Sequence, residues 1–316
     1  MSLSVIIPTC NRANLLAQLF RRLKEQDFST YPYEVLVIDN GSTDTTRQLC
    51  EDCRASLPNF QYVYESRPGL HQARHTGWLR SSGDILIYMD DDVEPFPTWL
   101  QGIAAAFESG AQLVGGKCLP KFESPPPDWL KSKWRRRQKG KGCLWQLSLV
   151  DLGDHFREIS PFLVIGCNFS VRRQVLMETR GFHPDAMPPA LVRFRGDGET
   201  YVSEYVRQRG YKAIYHPMAS VYHWVPKERM TTAYFSKRAY LQGISDSFRV
   251  FRKRKRVREW IALAMHVFSS VSSALIDWRE AVYLKAYCSG FGFHQIQVRK
   301  DPELRRWVLR KYFLEP

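Results

Sequence analysis

The sequence lacks an apolar run that is long enough to cross a membrane. Residues 260–276 contain no Asp, Glu, Lys or Arg, but His266 and several serines interrupt them. The stretch is shorter than the ~20 predominantly apolar residues that a spanning helix needs. The chain opens directly into an apolar segment that ends at Pro8, without the basic start and longer apolar stretch of a secretory signal. We therefore expect a cytoplasmic protein.

Cysteine is present, but without the spacing of a disulfide framework. The seven cysteines are an odd number, and the pair of Cys50 and Cys53 has no second pair that would complete a zinc site. The segment around this pair is predicted to be helical. We expect reduced thiols, as is usual in a cytosolic protein.

Acidic residues are scarce in the later part of the chain. Residues 1–120 contain 10 Lys and Arg against 14 Asp and Glu, a net charge of −4. Because the whole chain carries +14, the other 196 residues carry +18. A basic excess favours anionic partners, which include nucleic acid, acidic lipid and phosphorylated substrates. Charge alone does not choose among these classes.

Residues 1–120 alternate between apolar runs and helical patterns. Four apolar runs, at residues 3–7, 33–38, 60–64 and 84–89, predict strands. Helices are predicted between them. Ser42 and Asp44 are suited to cap the second of these helices. Such alternation predicts an α/β fold with a Rossmann-like, mainly parallel sheet flanked by helices. In such sheets ligands bind beyond the carboxyl ends of the strands.

The regularity is lost between residues 121 and 165. A run of three prolines and a basic stretch at residues 135–141 predict a long, irregular excursion. A helix is predicted from about residue 197 to 209, where Gly210 ends it. After about residue 230 the chain is predicted to be helical, and it is strongly basic.

Three adjacent carboxylates, Asp90, Asp91 and Asp92, follow the fourth predicted strand and contain an Asp-x-Asp (DXD) pattern. Such groups repel one another, and a divalent cation relieves that cost. Mg²⁺ and Mn²⁺ take oxygen ligands from one or two carboxylates together with substrate phosphates. The alternative is a solvated acidic turn. Placement at the ligand-binding edge of an α/β sheet favours the metal site.

Two further loops follow predicted strands at the same edge. Asp39 comes where a carboxylate can accept hydrogen bonds from a base or a ribose, although it also suits the turn itself. The loop that includes Pro8, Thr9, Asn11 and Arg12 offers backbone donors and a cation near a helix N-terminus, which suit a nucleotide. The sequence has neither Gly-x-Gly-x-x-Gly nor Gly-Lys-Ser/Thr, which disfavours a dinucleotide enzyme and an NTPase.

Six segments together resemble the motifs of family 2 glycosyltransferases. They are residues 5–12, 37–44, 73–77, 87–92, 166–173 and 181–185. The resemblance covers roughly residues 1–240. It implies a GT-A fold, a nucleotide-diphosphate sugar donor, a divalent metal (Mn²⁺ or Mg²⁺) and inversion at the anomeric carbon. His75 stands where asparagine is usual, which leaves the identity of the donor open.

The resemblance also implies a division of the chain. Residues 1–230 would form the catalytic domain, with a nucleotide-sugar-binding half at 1–120 and an acceptor-side half at 121–230. Residues 231–316 would form a helical, basic extension.

Site residues are assigned by their positions in the family motifs. Thr9 and Asp39 would contact the base and the ribose, with Arg74 nearby. Asp91 would contact the ribose or a phosphate, and Asp92 would bind the metal on the diphosphate. The other residues assigned to the donor are Pro8, Asn11, Arg12 and Asp90.

Two further assignments depend on the later segments. His223 would complete the metal shell or meet the diphosphate, and the alternative is a packed structural histidine. Inverting transfer needs a base that deprotonates the acceptor. Counting back from Gly210 in the family pattern gives Glu199 as that base. The usual Glu-Asp pair is broken here, so Asp197 is the reserve, and capping of the helix is the alternative role for both.

The expected activity is therefore metal-dependent, inverting transfer of a sugar to a hydroxyl acceptor. A UDP-sugar is the favoured donor, and a saccharide or lipid-linked saccharide is the expected acceptor, in polysaccharide or glycoconjugate assembly. A sugar nucleotidyltransferase is the enzymatic alternative, because it would also use clustered carboxylates and metal.

A basic binding module is the non-enzymatic alternative. Residues 227–316 carry 19 basic and 8 acidic residues, a net charge of +11. No nucleic-acid-binding motif is visible, so we expect no nucleic acid partner. We assign the basic extension to docking on an anionic membrane, as a peripheral protein of the inner face; a solvated helical surface is the alternative.

Overall fold

The computed structural model of the chain describes residues 1–138, 142–253 and 277–314. Its first part alternates strand and helix as the sequence predicts. The elements are β1 (Leu3–Thr9), α1 (Ala13–Leu23), β2 (Tyr33–Asp39), α2 (Thr46–Cys53), β3 (Phe60–Tyr64), α3 (Leu70–Arg80) and β4 (Ile85–Met89). Strands β1 and β4 are buried along their whole length, so both faces of the sheet are covered by other elements.

The prediction that Ser42 and Asp44 both cap α2 is wrong for Ser42. The hydroxyl of Ser42 accepts a hydrogen bond from the backbone N–H of Asn11 at 2.8 Å and makes no cap. Asp44 accepts bonds from Thr46 N–H and from Ala13 N–H, at 3.0 and 3.1 Å. These two side chains therefore tie the loop after β1 to the loop after β2.

The middle of the chain supplies the remaining strands and several more helices. The elements are β5 (Val93–Pro95), α4 (Trp99–Glu108), β6 (Leu113–Gly115), β7 (Cys118–Phe122), α5 (Asp128–Gln138), β8 (Cys143–Leu144), β9 (Leu149–Val150), β10 (Arg157–Glu158), β11 (Asn168–Arg172), α6 (Arg173–Thr179), α7 (Thr200–Arg209), β12 (Ala213–Tyr215) and β13 (Val221–Val225). The predicted irregular excursion is thus wrong for much of its length, since it contains α5 and the three short strands β8, β9 and β10. The end of its basic stretch, residues 139–141, lies outside the described residues.

In the described part of the chain the larger sheet has the strand order β10-β12-β6-β11-β4-β1-β2-β3. Strands β3, β2, β1 and β4 are parallel, β11 is antiparallel to β4 and β6, and β12 is parallel to β6. The sheet is therefore mainly parallel, as expected. Thr9 pairs with Asp39 in the β1–β2 register, which places both at the same edge.

A smaller sheet has the order β5-β13-β7-β9-β8. Strand β5 begins one residue after Asp92, and β13 is antiparallel to it with His223 opposite Val93. The backbone N–H of Trp224 also donates to the carbonyl of Asp92 at 2.8 Å. This pairing brings β13, which is distant in the sequence, next to the acidic triplet.

Three helices follow: α8 (Thr232–Arg252), α9 (Trp278–Lys300) and α10 (Pro302–Leu309). Helices α8 and α9 run in the same direction, because Phe235 packs on Tyr283 near their starts and Ser247 bonds His294 farther along. The predicted helical character after residue 230 is confirmed for the described residues. None of the helices in residues 1–138, 142–253 and 277–314 is long and apolar enough to span a bilayer. Residues 260–276 lie outside that description.

Candidate active site

The acidic triplet lies directly after β4, at the carboxyl edge of the sheet. Asp91 and Asp92 are buried, and Asp90 is partly buried. Burial raises the pKa of Asp90, and the neighbouring Asp92 carboxylate raises it further. Three carboxylates are therefore held together where water screens them poorly, so they need positive charge beside them.

Asp91 receives that charge from the loop after β1. Its Oδ1 accepts a hydrogen bond from Arg12 at 2.7 Å, and its Oδ2 accepts one from the Thr9 hydroxyl at 2.7 Å. Burial nevertheless raises the pKa of Asp91 to about 6, although Arg12 lowers it. Thr9, Arg12 and Asp91, all assigned to the donor, thus form one connected group.

Asp92 is surrounded by three cationic or potentially cationic side chains. Its Oδ2 accepts from Arg229 at 2.9 Å and from Arg12 at 3.2 Å. Its Oδ1 lies 3.3 Å from Nε2 of His223 and has no hydrogen-bond partner among the described residues. Burial would raise the pKa of Asp92, but His223 and Arg229 outweigh it and hold that pKa below its ordinary value.

His223 is oriented by a backbone group. Its Nδ1 donates to the carbonyl of Leu147 at 2.8 Å, which leaves Nε2 directed at Asp92. Burial lowers the pKa of His223, but the Asp92 carboxylate outweighs burial and raises it. The imidazole therefore lies between a carboxylate and a backbone carbonyl, and both roles predicted for it, metal ligand and packed structural histidine, stay predictions.

These two side chains fit a divalent cation. The Asp92 Oδ1 atom is buried without a hydrogen-bond partner, and a metal-ligating histidine normally donates its other N–H to a group such as the Leu147 carbonyl. No group of three or more His, Cys, Asp or Glu side chains that could hold a metal occurs within the described ranges. Protein would therefore supply two ligands, which suits cations that also bind substrate phosphates.

Asp39 and Asn11 organise the loops that follow β1 and β2. The Asp39 carboxylate accepts from Ser42 N–H at 2.8 Å and from the hydroxyl of Tyr62 at 2.7 Å. Asn11 has a left-handed backbone (φ 54°), and its side-chain oxygen accepts from Thr43 N–H at 2.7 Å. Pro8 is buried within β1 rather than in the loop. The Asp39 carboxylate is therefore bonded within the turn after β2, and its backbone lies beside that of Thr9.

Arg74 lies with the candidate base. Its guanidinium donates to Glu199 at 3.1 Å and to the carbonyl of Gly166 at 3.3 Å, and it lies over the ring of Phe182. Burial lowers the pKa of Arg74, but Glu199 and Asp90 outweigh it and raise the pKa. A Cβ at position 166 would lie 2.6 Å from Glu199 Oε1. A larger residue at position 166 would displace the ends of the Arg74 and Glu199 side chains.

Glu199 and Asp197 have different surroundings. The Asp197 carboxylate pairs with Nδ1 of His183 and its side chain is 10% exposed, whereas that of Glu199 is 24% exposed. Neither carboxylate caps α7 among the described contacts, because Glu199 makes no side-chain cap and the carboxylate of Asp197 pairs with His183. The capping alternative is therefore not supported for either residue.

Several residues at this site were not found from the sequence. Arg229 binds Asp92, Tyr62 binds Asp39, and His183 binds Asp197. Arg229 stands six positions after His223, and a basic residue there was the only available signal. Tyr62 lies on β3 and gives no signal of its own, because its contact depends on the β2–β3 pairing.

Known proteins are similar to this chain in sequence. Residues 4–180, more than half of the chain, match the sequence profile of Glycosyl transferase family 2. The Glycosyltransferase AglE of Haloferax volcanii is 36% identical over 115 residues, which are 36% of this chain and 38% of that protein. The undecaprenyl-phosphate 4-deoxy-4-formamido-L-arabinose transferase of Proteus mirabilis is 26% identical over 189 residues, 55% of this chain and 58% of that protein. The chain thus matches less than two thirds of the length of either relative.

A solved structure shares the fold over nearly the whole chain. It is the mannosyltransferase PcManGT from Pyrobaculum calidifontis in complex with GDP-Man and Mn²⁺, with a TM-score of 0.58 and 19% identity. The match covers 98% of this chain and 83% of that one. The architecture is therefore a GT-A fold with C-terminal helices. The chain belongs to glycosyl transferase family 2.

Proposed function

We propose that this glycosyltransferase catalyses metal-dependent, inverting transfer of a sugar from a nucleotide-diphosphate sugar to a hydroxyl group. The observation that carries the proposal is the meeting of Asp92 with His223, at the edge where Thr9, Asp39 and Asp91 also lie. These side chains come from distant parts of the sequence and converge on one side of the sheet, where ligands bind in such folds.

Asp92 Oδ1 and His223 Nε2 would hold Mn²⁺ or Mg²⁺. A bound cation there supplies positive charge that offsets the charge on a departing diphosphate. The protein contributes the orientation of both ligands, through the Leu147 carbonyl behind His223 and the β5–β13 pairing behind Asp92.

The nucleotide would lie across the loops that follow β1 and β2. Asp39 accepts hydrogen bonds from the base or the ribose, and Arg12 and Asp91 lie toward the phosphates. A UDP-sugar remains our favoured donor, and GDP-mannose is the competing choice because the neighbouring mannosyltransferase binds it. The fold accommodates several bases, so this choice needs direct measurement.

Glu199 would be the base. As the acceptor oxygen forms its bond to the anomeric carbon, the bond from that carbon to the phosphate oxygen breaks, and its electron pair leaves with the nucleotide diphosphate. Glu199 takes the proton of the acceptor hydroxyl. Arg74 holds one oxygen of Glu199 in place, and the partly exposed side chain remains accessible to an acceptor.

The acceptor would be a saccharide or a lipid-linked saccharide in polysaccharide or glycoconjugate assembly. The relative from Proteus mirabilis is named for an undecaprenyl-phosphate substrate, and the basic C-terminal extension suits an anionic surface. We propose action at the cytoplasmic face of a membrane, as a peripheral protein.

Donor binding tests the proposal directly. Sugar nucleotides, including UDP-glucose, UDP-N-acetylglucosamine and GDP-mannose, are added with and without Mn²⁺, and the melting temperature is recorded. A donor that binds only the folded protein raises this temperature, because it adds about 2.7 kcal/mol to the free energy of unfolding at a hundredfold excess over Kd. Absence of any metal-dependent rise, with every donor and divalent ion tried, would refute the proposal.

Asp92→Asn is the first variant to examine. We expect loss of transfer and a large loss of metal-dependent donor binding, because the amide replaces an anionic ligand. Asp52→Asn, on an exposed part of α2, is the matched control and should behave as wild type. A separate activity assay distinguishes the two enzyme classes: release of a nucleotide diphosphate from a sugar nucleotide supports transfer, whereas release of pyrophosphate from an NTP and a sugar phosphate would indicate the nucleotidyltransferase alternative.

A further inference from the structure

Arg229 contacts both proposed metal ligands. It belongs to the short 3-10 helix Lys227–Met230, which follows β13 directly. Its Nη2 donates to Asp92 Oδ2 at 2.9 Å, and its Nη1 lies 3.3 Å from Nε2 of His223. The side chain is 20% exposed. The guanidinium therefore reaches the acidic triplet from a turn that borders solvent.

The charges around Asp92 nearly balance. Two carboxylates of the triplet, Asp91 and Asp92, pair with two guanidinium groups, those of Arg12 and Arg229. A divalent cation that arrives alone would add positive charge to these pairs, and it would compete with both guanidinium groups for Asp92. A diphosphate that arrives with the cation supplies the negative charge that the guanidinium groups then need.

The two arginines are held differently. Arg12 bridges Asp91 and Asp92, with its shorter bond, 2.7 Å, to Asp91. Arg229 has its ion pair with Asp92 only, among the contacts described for it. When a cation binds Asp92, Arg12 keeps a carboxylate partner and Arg229 loses its own. Of the two, Arg229 is thus the one free to bind an incoming phosphate, for which the planar guanidinium is well suited.

We infer that Arg229 is a diphosphate-binding residue, and that its ion pair with Asp92 opposes binding of a divalent cation unless a nucleotide diphosphate binds too. The inference rests on the proposed function, because it requires a donor diphosphate and a cation at Asp92. Its consequence is that metal and nucleotide bind cooperatively, with Arg229 carrying part of that coupling.

Calorimetric titrations of wild type and Arg229→Met test this. The first titrant is Mn²⁺ alone, and the second is UDP or GDP at saturating Mn²⁺. We expect the variant to bind Mn²⁺ alone more tightly, because a competing cation is gone. We expect it to bind the nucleotide about 10- to 100-fold more weakly, the loss of one charged hydrogen-bonding group. Arg47→Met, whose side chain is 72% exposed on α2, is the matched control.

The expected changes in affinity, tighter for Mn²⁺ alone and weaker for the nucleotide, distinguish this role from a structural one. A residue that only supports the fold would weaken both binding steps on removal, and that result overturns the inference, as does unchanged nucleotide affinity. Arg229→Gln, also uncharged, is measured in the same way should the methionine variant fail to fold. If wild type binds neither UDP nor GDP with Mn²⁺, the proposed function fails as well. If wild type binds the nucleotide with Mn²⁺ and the variant binds it equally well, the inference about Arg229 is wrong while the proposed function stands.

Discussion

Glu199 and Asp197 lie two residues apart, yet neighbouring side chains hold them in different ways. Arg74 binds one oxygen of Glu199, and His183 binds the carboxylate of Asp197. His183 in turn stacks on Tyr201 of α7. Glu199 is thereby the more accessible carboxylate, whereas Asp197 is tied into the packing between its loop and α7.

Glu199→Gln should therefore separate binding from turnover. We expect donor binding to stay near wild type and kcat to fall about 10²- to 10⁴-fold, the usual contribution of a general base. Initial rates and donor affinity, measured on the same preparation, check this. Asp197→Asn is the comparison, and we expect it to lower stability more than the chemical step. Should Asp197→Asn instead lose turnover with donor binding intact, the base assignment moves to Asp197.

His75 offers a test of pH dependence away from the metal position. It accepts a hydrogen bond from Phe182 N–H at 2.8 Å through Nε2, and burial lowers its pKa to about 3. Because the unfolded-state pKa is higher, at about 6.5, the unfolded chain binds the proton first. The stability that His75 contributes is thus present above about pH 6.5 and is lost as the pH falls toward 3.

His75→Gln keeps an acceptor near the Nε2 position and removes the titration. Between pH 7 and pH 5, wild type should lose about 2 kcal/mol of unfolding free energy more than the variant. Urea denaturation at both pH values measures the difference, in which all other titrating groups cancel. An equal loss in the two proteins would show that His75 does not titrate in this way.

Single residues also show how far sequence reasoning reached into the site. Thr9, Asp39 and Asp91 were expected to lie together because each follows or ends a strand of one parallel sheet, and the structure brings them together. Arg74 was expected near the nucleotide base and ribose from the family pattern, which stays a prediction; its bond to Glu199 was not predicted. No local pattern specifies a partner that is 125 residues away; packing of α3 against the loop before α7 decides it.

Among the elements, the pair of α8 and α9 is joined most closely. A Cβ added at Gly243 would lie 2.2 Å from the carbonyl oxygen of Tyr287, and one at Gly290 would lie 2.0 Å from that of Tyr240. The two helix backbones touch at these glycines, so no side chain separates them. This contact fixes the position of α8, whose Ser245 bonds the carbonyl of Gly196 in the loop that carries Asp197 and Glu199.

Gly290→Ala should consequently destabilise the protein. The added methyl group meets backbone that cannot move as a side chain does, and we expect a loss of about 1–3 kcal/mol. Gly292→Ala, on the same helix with nothing within 4 Å of its Cβ, is the control. It should be neutral or stabilising by up to about 1 kcal/mol, because alanine favours helix. Thermal and urea unfolding compare the two; equal effects would argue against the close contact.

For the whole molecule, charge separates the two parts of the chain. Residues 1–120 carry −4 and hold the acidic triplet, whereas residues 227–316 carry +11. Parts of this basic segment, including Arg305 and Arg306 on α10, are exposed. The cluster at residues 254–256 lies outside the described residues. The distribution suits a protein whose basic end meets an anionic surface while the donor binds elsewhere.

The full chain should therefore bind vesicles that contain acidic lipid. Each Lys or Arg near an anionic bilayer contributes about 1 kcal/mol, and salt weakens this attraction. Flotation with phosphatidylserine vesicles at low and high salt measures it, with neutral phosphatidylcholine vesicles as the control. We expect binding only to the acidic vesicles, lost at high salt. No flotation at low salt would remove the docking hypothesis and favour a solvated surface.

The sequence alone determined the alternation of strand and helix, the mainly parallel sheet and the edge at which the acidic loops meet, because these follow from local periodicity and from which residues end a strand. The catalytic-domain boundaries stay a prediction. Only the tertiary structure decided that His223 faces Asp92, that Arg229 binds both and that Glu199 pairs with Arg74. Those contacts depend on strand pairing and helix packing between distant segments, and the side chains that make them have no periodic signature.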